Sequence, residues 1–376
     1  MNSSRFRINH GGCHSEGSLF KHKASASEQK DSFRMTLFFI STKIGKAFFL
    51  IYLLFHAAFS NTCFAQNITG KVYAAVLFNN SKSNVTGADR YVGVFARTSG
   101  ETAWKNFSNT NLFAFGLGFS QHGAIQRHYI AGGNGLHRSA DGGKTWKILT
   151  GWETMEILSV ALDPVEANII YIATPYGIFK SVDDGKTWTE KMRGCKSWYA
   201  DEIIIDARDH HTLFAAFDDD LYCSRNGGEN WSALKIGAPG IRTVFQPAVH
   251  PNVLLAGTED RGVRVTFDHG KNWQAGAGIA ATAIYAIHGA ADGKTIYAGG
   301  YQTGVWQSHD LGKSWEQLWS APEIEAIYSL FVDPANSNHL FVGTNGKGIY
   351  ESTDGGKFWQ AAGLSGAHVK QINSFP

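Results

Sequence analysis

The octapeptide Ser139-Ala140-Asp141-Gly142-Gly143-Lys144-Thr145-Trp146 returns as Ser181–Trp188, Ser224–Trp231, Thr266–Trp273, Ser308–Trp315 and Ser352–Trp359. Its acidic or amide position reads Asp141, Asp183, Asn226, Asp268, Asp310 and Asp354 down the copies. A worn copy ends at Trp104, with Arg97, Ser99 and Glu101 where the others have Ser, Asp and Gly. The closing tryptophans are Trp104, Trp146, Trp188, Trp231, Trp273, Trp315 and Trp359, in steps of 42, 42, 43, 42, 42 and 44 residues. A period in the low forties with several short strands per unit marks an all-β propeller. Seven copies predict seven four-stranded blades.

Turn chemistry explains the residue types. A short Asp or Ser side chain between two strands bonds the turn's own amides. Glycine permits the positive φ of a tight turn. The tryptophan opens the next strand and buries a large ring with its N–H seeking an acceptor. The aspartates are therefore expected to be structural, at the rim, and not metal ligands or catalysts. The phrase resembles the Asp-box, or BNR repeat.

Working outward, each repeat reads as four strands. In blade three these are Met155–Leu162, Ile169–Ala173, Gly177–Ser181 and Trp188–Met192, with Val/Ile/Tyr/Phe enrichment and Gly/Asp/Pro punctuation. The other inner strands are predicted at Asn111–Phe119, Asp201–Asp206, Ile241–Val249, Thr282–His288 and Glu325–Val332. Blade one begins without an inner strand, at Lys71–Leu77, Arg90–Ala96 and Trp104–Phe107. The tail from His368 to Pro376 has the spacing of an inner strand and is expected to fill that gap, closing the ring and removing a sheet edge. A long polar loop between Asn79 and Asp89 is expected to be a surface excursion or a cover for one face.

The chain has 376 residues and a formal net charge of +2, unevenly placed. Residues 1–65 hold 8 Lys+Arg and 3 Asp+Glu, leaving 26 basic and 29 acidic residues in 66–376. That mildly acidic remainder argues against nucleic acid as partner. Residues 47–59 are apolar and follow Lys43 and Lys46, a length that fits a signal-peptide core better than a membrane span of roughly 20 residues. Residues 35–65 thus read as a signal peptide, and Met35 as an internal start that sets 1–34 apart; a long basic n-region and an uncleaved N-terminal anchor are the alternatives. The propeller occupies 66–376, exported to a periplasmic or extracellular location and expected to be a monomer. Of its two cysteines, Cys195 and Cys223, export permits pairing, and two separate thiols are expected.

No P-loop, HExxH, CxxC pair, GxSxG or EF-hand pattern is present, so neither metal nor cofactor is expected. Binding candidates lie in the loops leading into inner strands and between second and third strands: Trp152, Arg193, Trp198, Tyr199, Arg242, Arg261, Tyr301 and Trp319. Aromatics mixed with carboxylates and arginines suit a peptide segment or a sugar chain. Aligning the inner strands on their Asp-Pro ends gives a column of Gly118, Ser159, Glu202, Gln246, Tyr285, Ser329 and Gln371, expected to face a wet axial channel.

The blades spanning "SVALDPVEANIIYIATPYGIFKSVDDGKTW" and "SLFVDPANSNHLFVGTNGKGIYESTDGGKFW" resemble those of several Asp-box families. An exported seven-bladed propeller is most similar to the photosystem II stability/assembly factor family over roughly residues 70–376. That resemblance implies a non-enzymatic scaffold binding an envelope or membrane protein through an arginine patch, with Arg193, Arg242 and Arg261 as candidates among acids. The rival resemblance is to xyloglucanase-like glycoside hydrolases, which pair two propellers around a cleft. Sialidases share the repeat, but Phe6-Arg7-Ile8-Asn9, which resembles their arginine motif, precedes the leader. Sortilin-like receptors add cysteine-rich modules not seen here. Glycosidase chemistry needs two carboxyl groups about 5–9.5 Å apart. Its candidates here are Glu202 with Glu323 or Glu325, and the ligand would be a polysaccharide.

Overall fold

A computed structural model describes residues 70–79, 92–108 and 112–375. The leader, Cys13, Cys63 and the loop after Asn79 lie outside the described residues. The described chain forms seven four-stranded antiparallel sheets. Six use consecutive strands; the seventh runs from Ala367–Phe375 through Lys71–Asn79 and Gly93–Thr98 to Lys105–Asn106. Ala367–Phe375 pairs antiparallel with Lys71–Asn79, from Lys71 opposite Phe375 to Asn79 opposite Ala367. The C-terminal strand is thus the inner strand of blade one, and the ring closes as the spacing predicted.

The remaining inner strands are Ala114–His122, Ser159–Leu162, Ala200–Ile205, Ile241–Phe245, Ile284–Gly289 and Ile327–Asp333. Blade three starts its ladder four residues later than Met155. The amides of Glu156 and Ile157 instead donate to the carbonyls of Gly133 and Gly132 in blade two. The chain ahead of this inner strand therefore stitches neighbouring blades together before it joins its own sheet. Second strands such as Ile170–Thr174 and Leu213–Phe217 are buried throughout. Blades stack on both of their faces, so these strands carry continuous apolar runs instead of an alternating pattern.

The core is divided between adjacent blades. Tyr171, Ala173 and Ile178 of blade three pack with Ile203, Leu213, Phe217 and Trp231 of blade four. At the closing seam, Phe331, Phe341 and Ile349 of blade seven meet Val72, Val76, Val369 and Ile372 of blade one.

The repeated phrase forms one turn six times over. Ser139 Oγ accepts the Gly143 amide at 2.8 Å and donates to Asp141 Oδ1 at 2.8 Å. Asp141 then accepts the Thr145 amide at 2.9 Å and its hydroxyl at 2.6 Å. The Thr145 hydroxyl and amide, with Ser139, hold the Asp141 carboxyl at about 2. Gly143 has φ 85°, and a Cβ there would lie 2.5 Å from the Phe107 ring. Trp146, Trp273, Trp315 and Trp359 donate their indole N–H to the turn glycine three residues back. Trp188, Trp231 and Trp104 reach the preceding blade, at the carbonyls of Leu149, Lys191 and Ala362.

The worn copy has a different use. Arg97 makes a two-pronged pair with Glu351 of blade seven, at 2.6 and 3.0 Å, and Glu351 also bonds His339. A charged clasp therefore joins the first and last blades. Cys195 and Cys223 are both free thiols.

Candidate functional site

The loops that lead into the inner strands and the hairpins between second and third strands together make one face, here the upper face. Just below it the inner strands share an irregularity. In blade four Ala200 pairs with Phe217 and Glu202 with Ala216, so Asp201 is passed over. The same bulge skips Phe115, Arg242, Tyr285, Tyr328 and Lys370 in blades two, five, six, seven and one. In blade three Leu158 donates to Ala173, which pairs with Ser159, giving Leu158 the equivalent place. A bulge bends the strand and re-aims one side chain. All seven re-aimed residues are half-buried.

Five of them meet a neighbour from the next blade around the axis. Lys370 Nζ lies 4.4 Å above the Tyr328 ring, and Tyr328 and Tyr285 have centroids 5.2 Å apart. Arg242 Nη1 donates to Asp201 at 2.7 Å. It also reaches Asp218 at 2.9 Å, while its Nε bonds Glu259 at 2.7 Å. Burial opposes the Arg242 charge, but Glu259 and Asp201 keep the guanidinium firmly protonated. Burial raises the Asp201 carboxyl despite Arg242, and lowers the Lys370 ammonium.

This ring corrects the predicted channel column. The residues following the bulge are Gly116, Ser159, Glu202, Thr243, Ala286, Ser329 and Gln371, so Gly118, Gln246 and Tyr285 were placed out of register. Nor does this column serve the axis. Glu202 Oε2 accepts the Val244 amide at 2.8 Å, Ser329 the Ile372 amide at 2.7 Å and Gln371 the Leu117 amide at 2.5 Å. Ser159 accepts from Ile203 at 3.4 Å. Each link joins one inner strand to the next. Burial pushes the Glu202 carboxyl up to about 7 against the Val244 and Thr243 bonds. Gln246 instead donates to Asp206 and to the Pro251 carbonyl.

The other candidates divide. Trp152 is 81% exposed, Trp198 56%, Tyr301 40% and Tyr199 36%, all on the upper face. Phe113 and Tyr176, which are not among those binding candidates, are 55% and 57% exposed on the same face. Arg261 is exposed beside Asp260, 3.6 Å away. Arg193 sits farther out, where its carbonyl accepts the Trp231 amide. There it lines a groove of about 510 Å³ with Lys191, Met192, Cys195, Trp198 and Glu229. The three arginines therefore do not form one free patch, and Arg242 is enclosed by acids. Trp319 does not belong to the face: its ring stacks on Trp359 at 5.0 Å and packs on Tyr350.

Glu323 and Glu325 are exposed in the loop before blade seven's inner strand, where Glu325 accepts from Asn345 at 2.9 Å. Among the described residues no hydrogen bond joins either to Glu202. On the opposite face Asp163, Glu166 and His210 bring ligand atoms within 4.8 Å of one another. Asp163 is already committed there to the amides of Val165 and Glu166 and to the His210 ring.

No family model matches the chain. Over 135 residues it is 30% identical to a probable oligoxyloglucan-reducing end-specific xyloglucanase of Neosartorya fischeri. That stretch is 34% of this chain and only 15% of the curated relative's length. Among solved structures, the GH74 enzyme of Niastella koreensis superposes with a TM-score of 0.54 at 19% identity, over 66% of this chain and 45% of that one. YCF48 from Cyanidioschyzon merolae superposes with a TM-score of 0.53 at 19% identity, over 68% of this chain and 87% of that one. At such identities the likeness is one of fold.

Proposed function

We propose that this protein is an exported, assembly-factor-like scaffold: a propeller that binds a protein partner on its upper face and has no catalytic activity of its own. The observation that carries the reading is the gathering of Phe113, Trp152, Tyr176 and Trp198, each more than half exposed, on three consecutive blades. Large apolar side chains grouped on one face mark interaction surfaces. Exposed apolar residues elsewhere, such as Ile125, Val165, Val249 and Phe358, are scattered over separate blades. The carboxylates on and beside the inner strands are tied up with Arg242 or with the next strand's amide, as a scaffold needs and an acid–base pair does not. The likeness to YCF48, covering 87% of that chain, supports the same reading. Export rests on the apolar segment 47–59 behind Lys43 and Lys46.

A carbohydrate-active role is the second reading. The xyloglucanase relative favours it, as does Glu202, whose carboxyl held at about 7 resembles a general acid. One experiment separates the two: a pull-down from envelope extract beside a glycan array, with the full chain and its Trp152→Ala and Trp198→Ala variants. Protein capture lost in both variants supports the scaffold. Glycan binding lost in Glu202→Gln supports the second reading. Capture untouched by either tryptophan change overturns the upper face as the binding surface.

A further inference from the structure

We propose that the upper face of blades two to five docks a polypeptide segment with an apolar centre and lysine or arginine flanks. This inference rests on the binding reading above and specifies the partner's chemistry.

The surface is continuous from blade to blade. Phe113 lies against Gly133, where an added Cβ would be 3.4 Å away. The Gly133 carbonyl accepts the Glu156 amide at 3.1 Å, fixing the loop that also carries Trp152. The Tyr176 hydroxyl donates to Glu156 at 3.1 Å. The charges of Asp201, Arg242, Asp218 and Glu156 all reach Tyr199, which burial and Asp201 push upward. Trp198 precedes Tyr199, and the arc ends at Arg242 with its three carboxylates. An aromatic ring buries roughly 150–250 Å² when fully covered. Five such rings, partly exposed now, bring several hundred Å² to a docked segment, the scale on which one side of a standard interface is built.

Charge decides the occupant. At the axial end of the arc, Asp201, Asp218 and Glu259 face Arg242, and the Lys370 ammonium also acts on Asp201, leaving a net charge of −1 when all five are ionised. Asp219 and Asp260 lie in the same two hairpins, with Arg261 as the one further cation there. Cationic groups are drawn to such a field and acidic ones turned away, which sets partner choice and on-rate more than raw affinity. The same field disfavours an anionic lipid surface, the other common destination for exposed tryptophans.

The test uses the full-length protein and three synthetic peptides of equal length. One has a Leu/Phe core and Lys flanks, one the same core with Glu flanks, and one a Ser/Gly core with Lys flanks. Titrations follow tryptophan fluorescence and heat at low and physiological salt. Only the first peptide is expected to bind, more weakly as salt rises. Trp152→Ala with Trp198→Ala should reduce its affinity about tenfold or more, as loss of central aromatic anchors does. Asp218→Asn with Glu259→Gln should flatten the salt dependence. Both exposed tryptophans can be replaced without touching the core, so an unchanged melting curve accompanies the expected result. Equal or better binding of the Glu-flanked peptide overturns the inference, as does equal binding of the Ser/Gly-core peptide. So does capture by phosphatidylserine-containing vesicles with no peptide binding. If the Glu-flanked peptide binds and the tryptophan variants abolish it, the upper face stands and the basic partner falls. If only glycans bind, both fall.

Discussion

Removing the last ten residues, by a stop after Gly366, tests whether the ring is held shut by the C-terminal strand. Lys71–Asn79 would become a bare sheet edge along all eight of its paired positions. Val369 and Ile372, 0% and 3% exposed, would leave the seam between blades seven and one. Their burial alone contributes roughly 1.5–3 kcal/mol each. Leu117's amide loses the Gln371 oxygen and Ser329's hydroxyl loses the Ile372 amide. Each buried polar group left without a partner costs about 1–3 kcal/mol. The sum exceeds about 5 kcal/mol, against a total stability of about 5–15 kcal/mol for a typical protein. The truncated chain should therefore fail to fold, or lose most of its urea midpoint. Ile372→Ala is the graded version and should cost about 2–5 kcal/mol with an unchanged m-value. Ile125→Ala, at a 55% exposed position, should stay within about 0.5 kcal/mol. Far-UV circular dichroism and tryptophan fluorescence should report one coincident transition. A truncated protein melting with the wild type would refute the closure argument. So would a loss confined to the Trp104 environment while the other blades held.

The seam clasp predicts an acid limb. Burial works against the Glu351 charge, but His339 and Arg97 hold its carboxyl at about 2 against an ordinary 4.5. Its contribution is therefore full above pH 4.5 and lost as pH falls towards 2; about 3 kcal/mol is at stake, and Glu351→Gln should lower the midpoint at pH 7 and flatten that limb. Glu202 has the opposite sign: raised to about 7 from 4.5, it favours the fold below pH 4.5 and loses that contribution as pH rises through 7. Glu202→Gln keeps an acceptor for Val244 and should match the wild type at pH 5 but exceed it at pH 8; a deficit at pH 8 would show that the ionised carboxylate is what the strand needs. Two glycines separate backbone from packing cost: Gly100→Ala, in open space at φ 78°, should cost about 1–2 kcal/mol for the left-handed conformation. Gly143→Ala should add about 1–3 kcal/mol more by driving a methyl against Phe107, and equal losses in urea titrations would remove the packing argument.

The phrase ending in Trp146 made the fold legible because its chemistry is local. Ser139, Asp141, Gly143 and Thr145 satisfy one another within a single turn, so identity and spacing suffice to read them. The missing strand of blade one was equally legible, since an incomplete repeat at one end and nine surplus residues at the other have a single economical solution. The axial ring was not. A bulge after the first residue of the inner strand shifts the side chains without leaving a mark. The channel column failed for a separate reason: the inner strands of blades two, five and six end without an Asp-Pro pair, so alignment on that end put Gly118, Gln246 and Tyr285 in places occupied by Gly116, Thr243 and Ala286. The enclosure of Arg242 was hidden for another reason: its three acids come from Asp201, Asp218 and Glu259, in three different segments. Trp319 misled because it follows a turn like its exposed counterparts, yet pairs back onto Val305 and stacks inside the blade.

Repetition itself separates scaffold from function in this molecule. Where the blades agree, as at the serine or threonine that accepts the turn glycine's amide, the shared residue answers a need every blade has. The skipped position of the inner strand is shared as geometry but not as chemistry: it holds Lys370, Phe115, Leu158, Asp201, Arg242, Tyr285 and Tyr328. The bulge takes that side chain out of the ladder's alternation, so strand pairing places no demand on its chemistry. Such a ring is free to vary without loss of the fold, and it opens onto the face that carries the exposed Phe113, Trp152, Tyr176 and Trp198. Partner choice can be written there, blade by blade, while the rim keeps the ring intact. Exchanging Tyr285 or Tyr328 for Leu should therefore leave the melting temperature nearly unchanged yet alter what the upper face binds, whereas exchanging Ser139 for Ala should do the reverse.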